Sequence, residues 1–372
     1  MKKILLFVLI LGLFASTVVW IRYGGGSAYP DLTTAPALDS KSLETVLAYA
    51  EPIGGVAVDR RGRIFFAVHP ESRPRGNKLL EYVDGAAVPY PSGAAQQELF
   101  DTVQAIAIDR FDRLWTIDHG NHGLRRPRII AIDLNSGEVL RDQSLDSDVA
   151  PPGSFLQDIE VSFDGRTIAI ADASFWRKSP AIIIYDVESG QARRVLENHV
   201  SVSAESYLIH SQSQDMAFLG GMIAMRGGVN GLAFSTDWLY FSAISGSGLF
   251  RVRLSDLRNA EMPTSQLGAR VERYSDKPLS NGLTIDLNGN VYVTDIEHSA
   301  IFIIGAGHSP RTLIQSPALR WPNAMSFGPD GYIFVSDSAL PELILQNREH
   351  IDANGPYRVF RFRPGFAGIP GQ

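Results

Sequence analysis

Nine polar residues stand at matching places along this chain: Gln104, Asp118, His119, Asp158, Asn230, Asn281, Asp295, Asn323 and Asp337. Gln104, Asn230, Asn281 and Asn323 each precede a short apolar run, and Asp158 begins another. Asp118, Asp172, Asp295 and Asp337 each close the apolar run that follows. Amides and carboxylates converging on one spot suit a ligand that carries hydroxyls or an amine. They also suit a hard, oxygen-ligated cation such as Ca²⁺ or another divalent ion, with Asn230 and Asn281 as metal candidates. His119 follows Asp118 in DHGNHG, and with His122 it offers acid/base or ligand chemistry; His69 ends the corresponding run of the first copy. Each type also has a structural use. Asn at a strand start satisfies turn backbone, and a short Asp side chain accepts from nearby N–H groups. Asp59, Asp109, Asp286 and Asp330 fall in the opposite turns and read as scaffold. No nucleophile elbow, phosphate loop or dinucleotide fingerprint is present.

These residues take their places from a hairpin that recurs six times. In Gln104–Asp118, QAIAIDRFDRLWTID, an apolar strand turns near Phe111 and returns, so Gln104 and Asp118 meet at the open end. Other copies start near Gly55 (GVAVDRRGRIFFAV), Asp158 (DIEVSFDGRTIAIAD), Asn230 (NGLAFSTDWLYFSA), Asn281 (NGLTIDLNGNVYVTD) and Asn323 (NAMSFGPDGYIFVSD). A β-patterned repeat of roughly 40–50 residues predicts a propeller. A third strand follows each hairpin, at 77–83, 128–134, 181–187, 248–254, 299–304 and 357–363. A fourth follows five of them, at 86–90, 138–143, 191–196, 269–274 and 310–314. The last blade lacks its fourth strand, while residues 43–49 precede the first hairpin as a fourth strand precedes the others. The expectation is an all-β, six-bladed β-propeller of four-stranded blades over 43–372. An N-terminal strand at 43–49 joins the last blade and so removes a sheet edge. Innermost strands then begin, and second strands end, on one face. That places the amides around the mouth of the central channel and the aspartates in a wider ring.

The composition, 45% hydrophobic and 20% charged with a net charge of −6, is that of a globular protein without the basic footprint nucleic acid requires. Residues 1–28 differ: Lys2 and Lys3 precede an apolar run, Ile4–Ile21, then Arg22 and Gly24–Ala28. This reads either as a signal peptide with Ala28 at its cleavage site or as an N-terminal anchor attached to a membrane through residues 4–21. Both export the domain, to the periplasm, the cell exterior or the outer surface of the inner membrane. The absence of cysteine excludes a lipoprotein anchor, disulfides and a thiol nucleophile. Residues 29–42 read as a linker. Residues 197–229 form the largest insertion, and Met216, Phe218, Leu219, Met222 and Ile223 make it apolar enough to pack as a partial cover over one face. Phe175, Trp176 and Tyr207 fall in loops, where they could stack on an aromatic or amine ligand or pack the rim.

The segment VQAIAIDRFDRLWTIDHG resembles the signature of the major royal jelly protein and yellow family, in which this hairpin ends in a Leu-Trp-x-x-Asp-x-Gly run. QDIEVS…AIADAS…PAIIIYDVESGQARRV, NGLAFSTDWLYFSAISGSGLFRV and LRWPNAMSFGPDGYIFVSDSAL resemble that family's third, fourth and last blades, so the match spans roughly residues 40–363. The resemblance implies an exported propeller whose funnel holds a small polar or aromatic molecule. The alternatives are an isomerase or tautomerase of oxidised catechols and a protein-interaction platform. The Asn-Gly-Leu starts at Asn230 and Asn281 are also similar to the gluconolactonase and senescence-marker lactonase family. That likeness implies a lactone hydrolase with a metal held by a Glu in the first blade, an Asn and an Asp. Here Asn230 matches the Asn, but Asn281 replaces the Asp and Gly54 replaces the Glu, which weakens any divalent site.

Overall fold

The computed structural model describes residues 1–372. Six four-stranded antiparallel sheets follow one another around a central axis, as expected for a six-bladed β-propeller. Inner strands such as Val103–Ile108 and Thr167–Asp172 are buried along their whole length, because blades pack on both of their faces. An outermost strand such as Val139–Ser144 has solvent along much of its length and keeps its polar residues. In the sixth blade, Glu44–Tyr49 pairs with Tyr357–Phe362, with Glu44 opposite Arg361 and Tyr49 opposite Tyr357. The ring therefore closes on the expected N-terminal strand, and Leu47 packs into the core with Val56, Phe334 and Val359.

The turns of the first, second and fifth hairpins share one device. Asp59, Asp109 and Asp286 each accept from the backbone N–H groups two and four residues on. In two of them an aromatic six residues on donates to the same carboxylate: Trp115 Nε1 to Asp109 Oδ2 at 2.8 Å and Tyr292 OH to Asp286 Oδ2 at 2.8 Å. This end of each hairpin is scaffold.

At the other end, the innermost strands of five blades carry a register shift: between Ile53 and Val56, Val103 and Ala105, Leu156 and Asp158, Val229 and Leu232, and Pro322 and Met325. A bulge inserts one residue and re-aims its side chain. The residues inside these shifts include Gln104, Gln157, Asn230 and Asn323, which are thereby turned to the channel mouth. In the fifth blade, Thr294 Oγ1 accepts from the N–H groups of Asn281 (2.9 Å) and Gly282 (3.0 Å) in place of the ladder. The glycine after each Asn has a separate cause. A Cβ on Gly282 would stand 2.4 Å from Asn323 O, and one on Gly231 would stand 2.6 Å from Leu283 Cγ, since neighbouring strands crowd together near the axis.

Two terminal segments brace the ring. Residues 30–43 run down the outer edge of the fifth blade; Leu38 N donates to Leu313 O at 2.8 Å, and Thr34 and Thr312 exchange hydrogen bonds. Residues 364–372 cross beneath the ring to the axis. Ile108 N donates to Gly371 O at 3.0 Å and Phe327 N donates to Gln372 O at 2.6 Å. Gly371 has φ +96°, and a Cβ there would meet Ile108 O at 2.6 Å. The tail therefore stops the lower end of the channel. The insertion folds over the upper face as a short hairpin, Ala217–Phe218 with Ile223–Ala224, seated on the buried Met216.

Candidate functional site

Two connected spaces lie on the axis. The lower is a narrow polar channel lined by Gln104, Gln157, Asp158, Glu160, Asn230, Asn281 and Asn323, and closed by Gly371 and Gln372. Asp158 and Glu160, two apart on one strand, face it together. Asp158 accepts from Leu232 N (2.9 Å) and Ile159 N (2.9 Å). Burial nevertheless pushes its carboxyl up to about 7, against the pull of those two N–H groups. Burial, then the nearby Asp158 charge, pushes Glu160 well up. Glu160 Oε2, Gln104 Oε1 and Asn230 Nδ2 are buried without a protein partner. The channel thus holds two carboxyls that burial makes hard to ionise, beside amide atoms without partners.

Above it is a cavity of about 300 Å³. Phe155, Phe175 and Trp176 form one wall, the insertion contributes Phe218, Leu219, Ile223 and Met225, and Leu340, Ile344 and Leu345 close the far side. Its polar floor is Gln157, Asn281 and Asn323, which the channel shares. Asn281 Nδ2 donates to Asn323 Oδ1 at 2.7 Å and to Asn323 O at 3.0 Å, which fixes both amides. His69, Glu71 and His122 form the one ionisable wall. His122 Nε2 meets Glu71 Oε1 at 2.7 Å. Burial pushes the Glu71 carboxyl up, but the His122 hydrogen bond and the neighbouring histidines outweigh it and hold it below the usual range. His122 Nδ1, the ring nitrogen turned away from Glu71, is buried and without a partner. Burial drives His69 and His119 down to about 4, so both are neutral.

Three cavity residues hold left-handed backbone: His122 (φ 57°), Leu219 (φ 53°) and Leu345 (φ 59°). Each costs about 1 kcal/mol or more for a side chain with a Cβ.

The sequence-predicted residues divide. Gln104, Asp158, Asn230, Asn281 and Asn323 meet at the channel mouth. The strand-end aspartates do not join them. Asp118 accepts from Asp101 N (2.6 Å), Thr102 N (2.9 Å) and Thr102 Oγ1 (2.9 Å). Asp295 accepts from Glu297 N (3.0 Å) and pairs with His298 (2.9 Å). Asp337 binds Arg320 Nε (2.8 Å) and Trp321 N (2.7 Å). All three spend their oxygens on loop backbone or a neighbouring cation and line neither space, so the expected outer ring of ligand carboxylates is corrected to a set of loop caps. His119 also stands back: its Nδ1 accepts from His122 N at 2.9 Å and its ring meets Phe155 edge-on. It positions His122 and does not line the cavity. Tyr207 packs on Tyr29 at 4.8 Å. Sequence reasoning missed Glu71, Phe155, Gln157 and Glu160; for Glu71 the signal was its place two residues after His69, where the second strand of the blade ends.

The lactonase-type metal set does not fit. Gly54 stands where that set needs a Glu and offers no side-chain ligand. The nearby Glu51 is engaged by Arg75 N (3.1 Å) and Arg348 Nη1 (3.3 Å), and the Asn281 amide turns its N–H₂ toward Asn323. Among the described residues no group of three His, Cys, Asp or Glu is arranged to hold a metal ion. Asn230 and Asn281, as a metal pair, are left without the acids that site requires.

Fold and site define a six-bladed propeller with a covered axial cavity. The family model described as major royal jelly protein matches residues 101–354, and the chain belongs to that family. It is 26% identical over 230 residues to major royal jelly protein 6 of Apis mellifera, covering 57% of this chain and 50% of that one. Against major royal jelly protein 2 of the same organism it is 23% identical over 240 residues, covering 61% and 50%. The chain thus spans about half the length of these relatives. Among solved structures it is similar to a luciferin-regenerating enzyme (TM-score 0.59, 12% identity, 88% of this chain and 97% of that). It is also similar to the calcium-binding protein regucalcin of Agrobacterium tumefaciens (TM-score 0.57, 15% identity, 91% and 100%) and to a gluconolactonase of Xanthomonas campestris (TM-score 0.55, 14% identity, 86% and 88%). At these identities the likeness is one of fold.

Proposed function

We propose that this propeller is an exported binding domain for a small molecule with an aromatic or apolar body and one hydroxyl or amine head. The observation that carries the proposal is the 300 Å³ cavity itself: aromatic and aliphatic walls over a floor of fixed amides, with a single carboxylate–imidazole pair at one side. Apolar walls supply affinity and a few convergent polar groups supply orientation. The anionic Glu71 favours an amine head, and Phe175 and Trp176 suit a ring or a cation over their faces. The N-terminal apolar helix supports export. The calcium-binding neighbour does not change this choice, because at 15% identity the likeness is one of fold.

A second reading, an isomerase or other proton-transferring enzyme, is favoured by one feature: Glu71 orients His122 and leaves a free ring nitrogen. Thermal-shift measurements on the full chain in detergent micelles test the binding reading. Tyramine, which has a ring, a hydroxyl and an amine, is expected to raise the melting temperature in a saturable way, by about 2.7 kcal/mol of stabilisation at a hundredfold excess over its Kd. Glucono-δ-lactone is expected to give no shift. A lactone that stabilises the chain while tyramine does not would overturn the proposal.

A further inference from the structure

The apolar helix Lys2–Tyr23 leaves the ring on the cavity face, and it is attached there specifically. Tyr23 OH donates to Trp176 O at 2.8 Å, and Arg22 Nη2 donates to Arg177 O at 3.0 Å. The Tyr23 ring lies 5.7 Å from Trp176 and 6.2 Å from Phe175, both of which line the cavity. Only Gly24–Gly26 separate this contact from Ser27, which pairs with Tyr207 of the insertion. The span Lys3–Tyr23 has 21 residues, and its most apolar 18-residue stretch has mean hydropathy 2.8 with none of it buried. At 1.5 Å per residue it matches a hydrocarbon core of about 30 Å.

The rim of the cavity is unusually apolar for a water-facing surface. Trp176, Leu219 and Leu345 line the cavity yet are 45%, 64% and 74% exposed. Arg22, Lys178 and Arg226 stand at the helix exit, and among the described residues none has a carboxylate partner in an ion pair; Arg177 beside them pairs with Glu197 at 2.9 Å. Aromatic side chains and unpaired cations beside a spanning helix are the composition of a membrane–water interface. The opposite face also exposes apolar side chains, Leu287 at 67% and Phe111 at 54%, the latter beneath Arg110 at 5.4 Å; what distinguishes the cavity face is the apolar helix that leaves it.

We propose that the cavity face lies against the bilayer that this helix spans, with Trp176, Leu219 and Leu345 seated among the lipid headgroups. The cavity then opens toward the membrane, and its ligand is an amphiphile drawn from the lipid phase. The choice of ligand rests on the binding function proposed above; the orientation of the face does not.

Because the chain contains no cysteine, single labels can be placed without further change. The full chain carrying Leu219→Cys, Leu345→Cys or, on the opposite face, Leu287→Cys is labelled with the fluorophore NBD. Each is reconstituted in phosphatidylcholine–phosphatidylglycerol vesicles with or without brominated acyl chains. Labels at 219 and 345 are expected to lose emission to the brominated lipid and to resist aqueous iodide, whereas the label at 287 shows the reverse. Iodide quenching at 219 and 345 equal to that at 287, with no effect of brominated lipid, would overturn the proposal. Tyramine binding is measured separately in micelles, so a chain that binds there but shows no shielding in vesicles loses the orientation and keeps the binding site.

Discussion

Asp158→Asn probes the electrostatics of the channel. Burial raises the Asp158 carboxyl from its ordinary 3.8 to about 7, and no cation compensates it. A raised acid binds its proton more tightly folded than unfolded. The Asp158 contribution to folded-state stability is therefore greatest below about pH 4, falls as pH rises from there to about 7, and is flat above. At about 1.4 kcal/mol per unit the shift sets an upper limit of about 4 kcal/mol. The side chain is partly open to the channel, so solvent screening reduces that to about 2 kcal/mol. Asn cannot ionise and escapes this loss. It also gives up one of the two backbone hydrogen bonds to Asp158, from Leu232 or Ile159, but that cost does not vary with pH. The informative quantity is the difference in melting temperature between variant and parent, followed by circular dichroism from about pH 4 to about pH 8. It should move in the variant's favour by several degrees across that range. A difference that stays constant would show that the carboxylate is neutralised by something other than its own proton, such as a bound cation, and the account of the channel would fail.

Two further substitutions test the scaffold and the floor. Leu47→Asp places an unpaired charge in the closing strand and should cost at least 3 kcal/mol by denaturant titration, whereas loss of the exposed Glu44–Arg361 pair in Glu44→Ala should cost less than about 1 kcal/mol. Equal, small losses would mean that the ring does not depend on this strand. Asn281→Ala leaves Asn323 O and Oδ1 without their donor and should cost about 1–3 kcal/mol in stability, together with weaker tyramine binding. An unchanged melting temperature would show that the amide pair is not fixed as described.

The hairpins were legible because inner strands buried on both faces must be apolar and their turns must be Asp- or Gly-rich. Residues 43–49 were assignable by counting strands, since a closed ring needs twenty-four and the sixth blade lacked one. The Asn-Gly pairs were visible, but their cause was divided: the Asn side chain serves the channel and the Gly serves close packing at the axis. Three things were hidden. The fate of Asp118, Asp295 and Asp337 depends on which loop N–H groups fold back to them. The prominence of Gln157 depends on a bulge, which carries no residue signature of its own. Glu71 and His122 meet across two blades, and nothing in their local sequence marks the pairing.

The central claim is a binding cavity beneath the insertion, and the most direct measurement is a calorimetric titration of the full chain with tyramine beside the variant Ile223→Trp. Ile223 lines the cavity and is only partly buried, so an indole there fills the space without entering the core. The parent is expected to bind at one site and the variant to lose measurable heat while keeping its melting temperature. Equal binding by both, or binding by neither, would contradict the account.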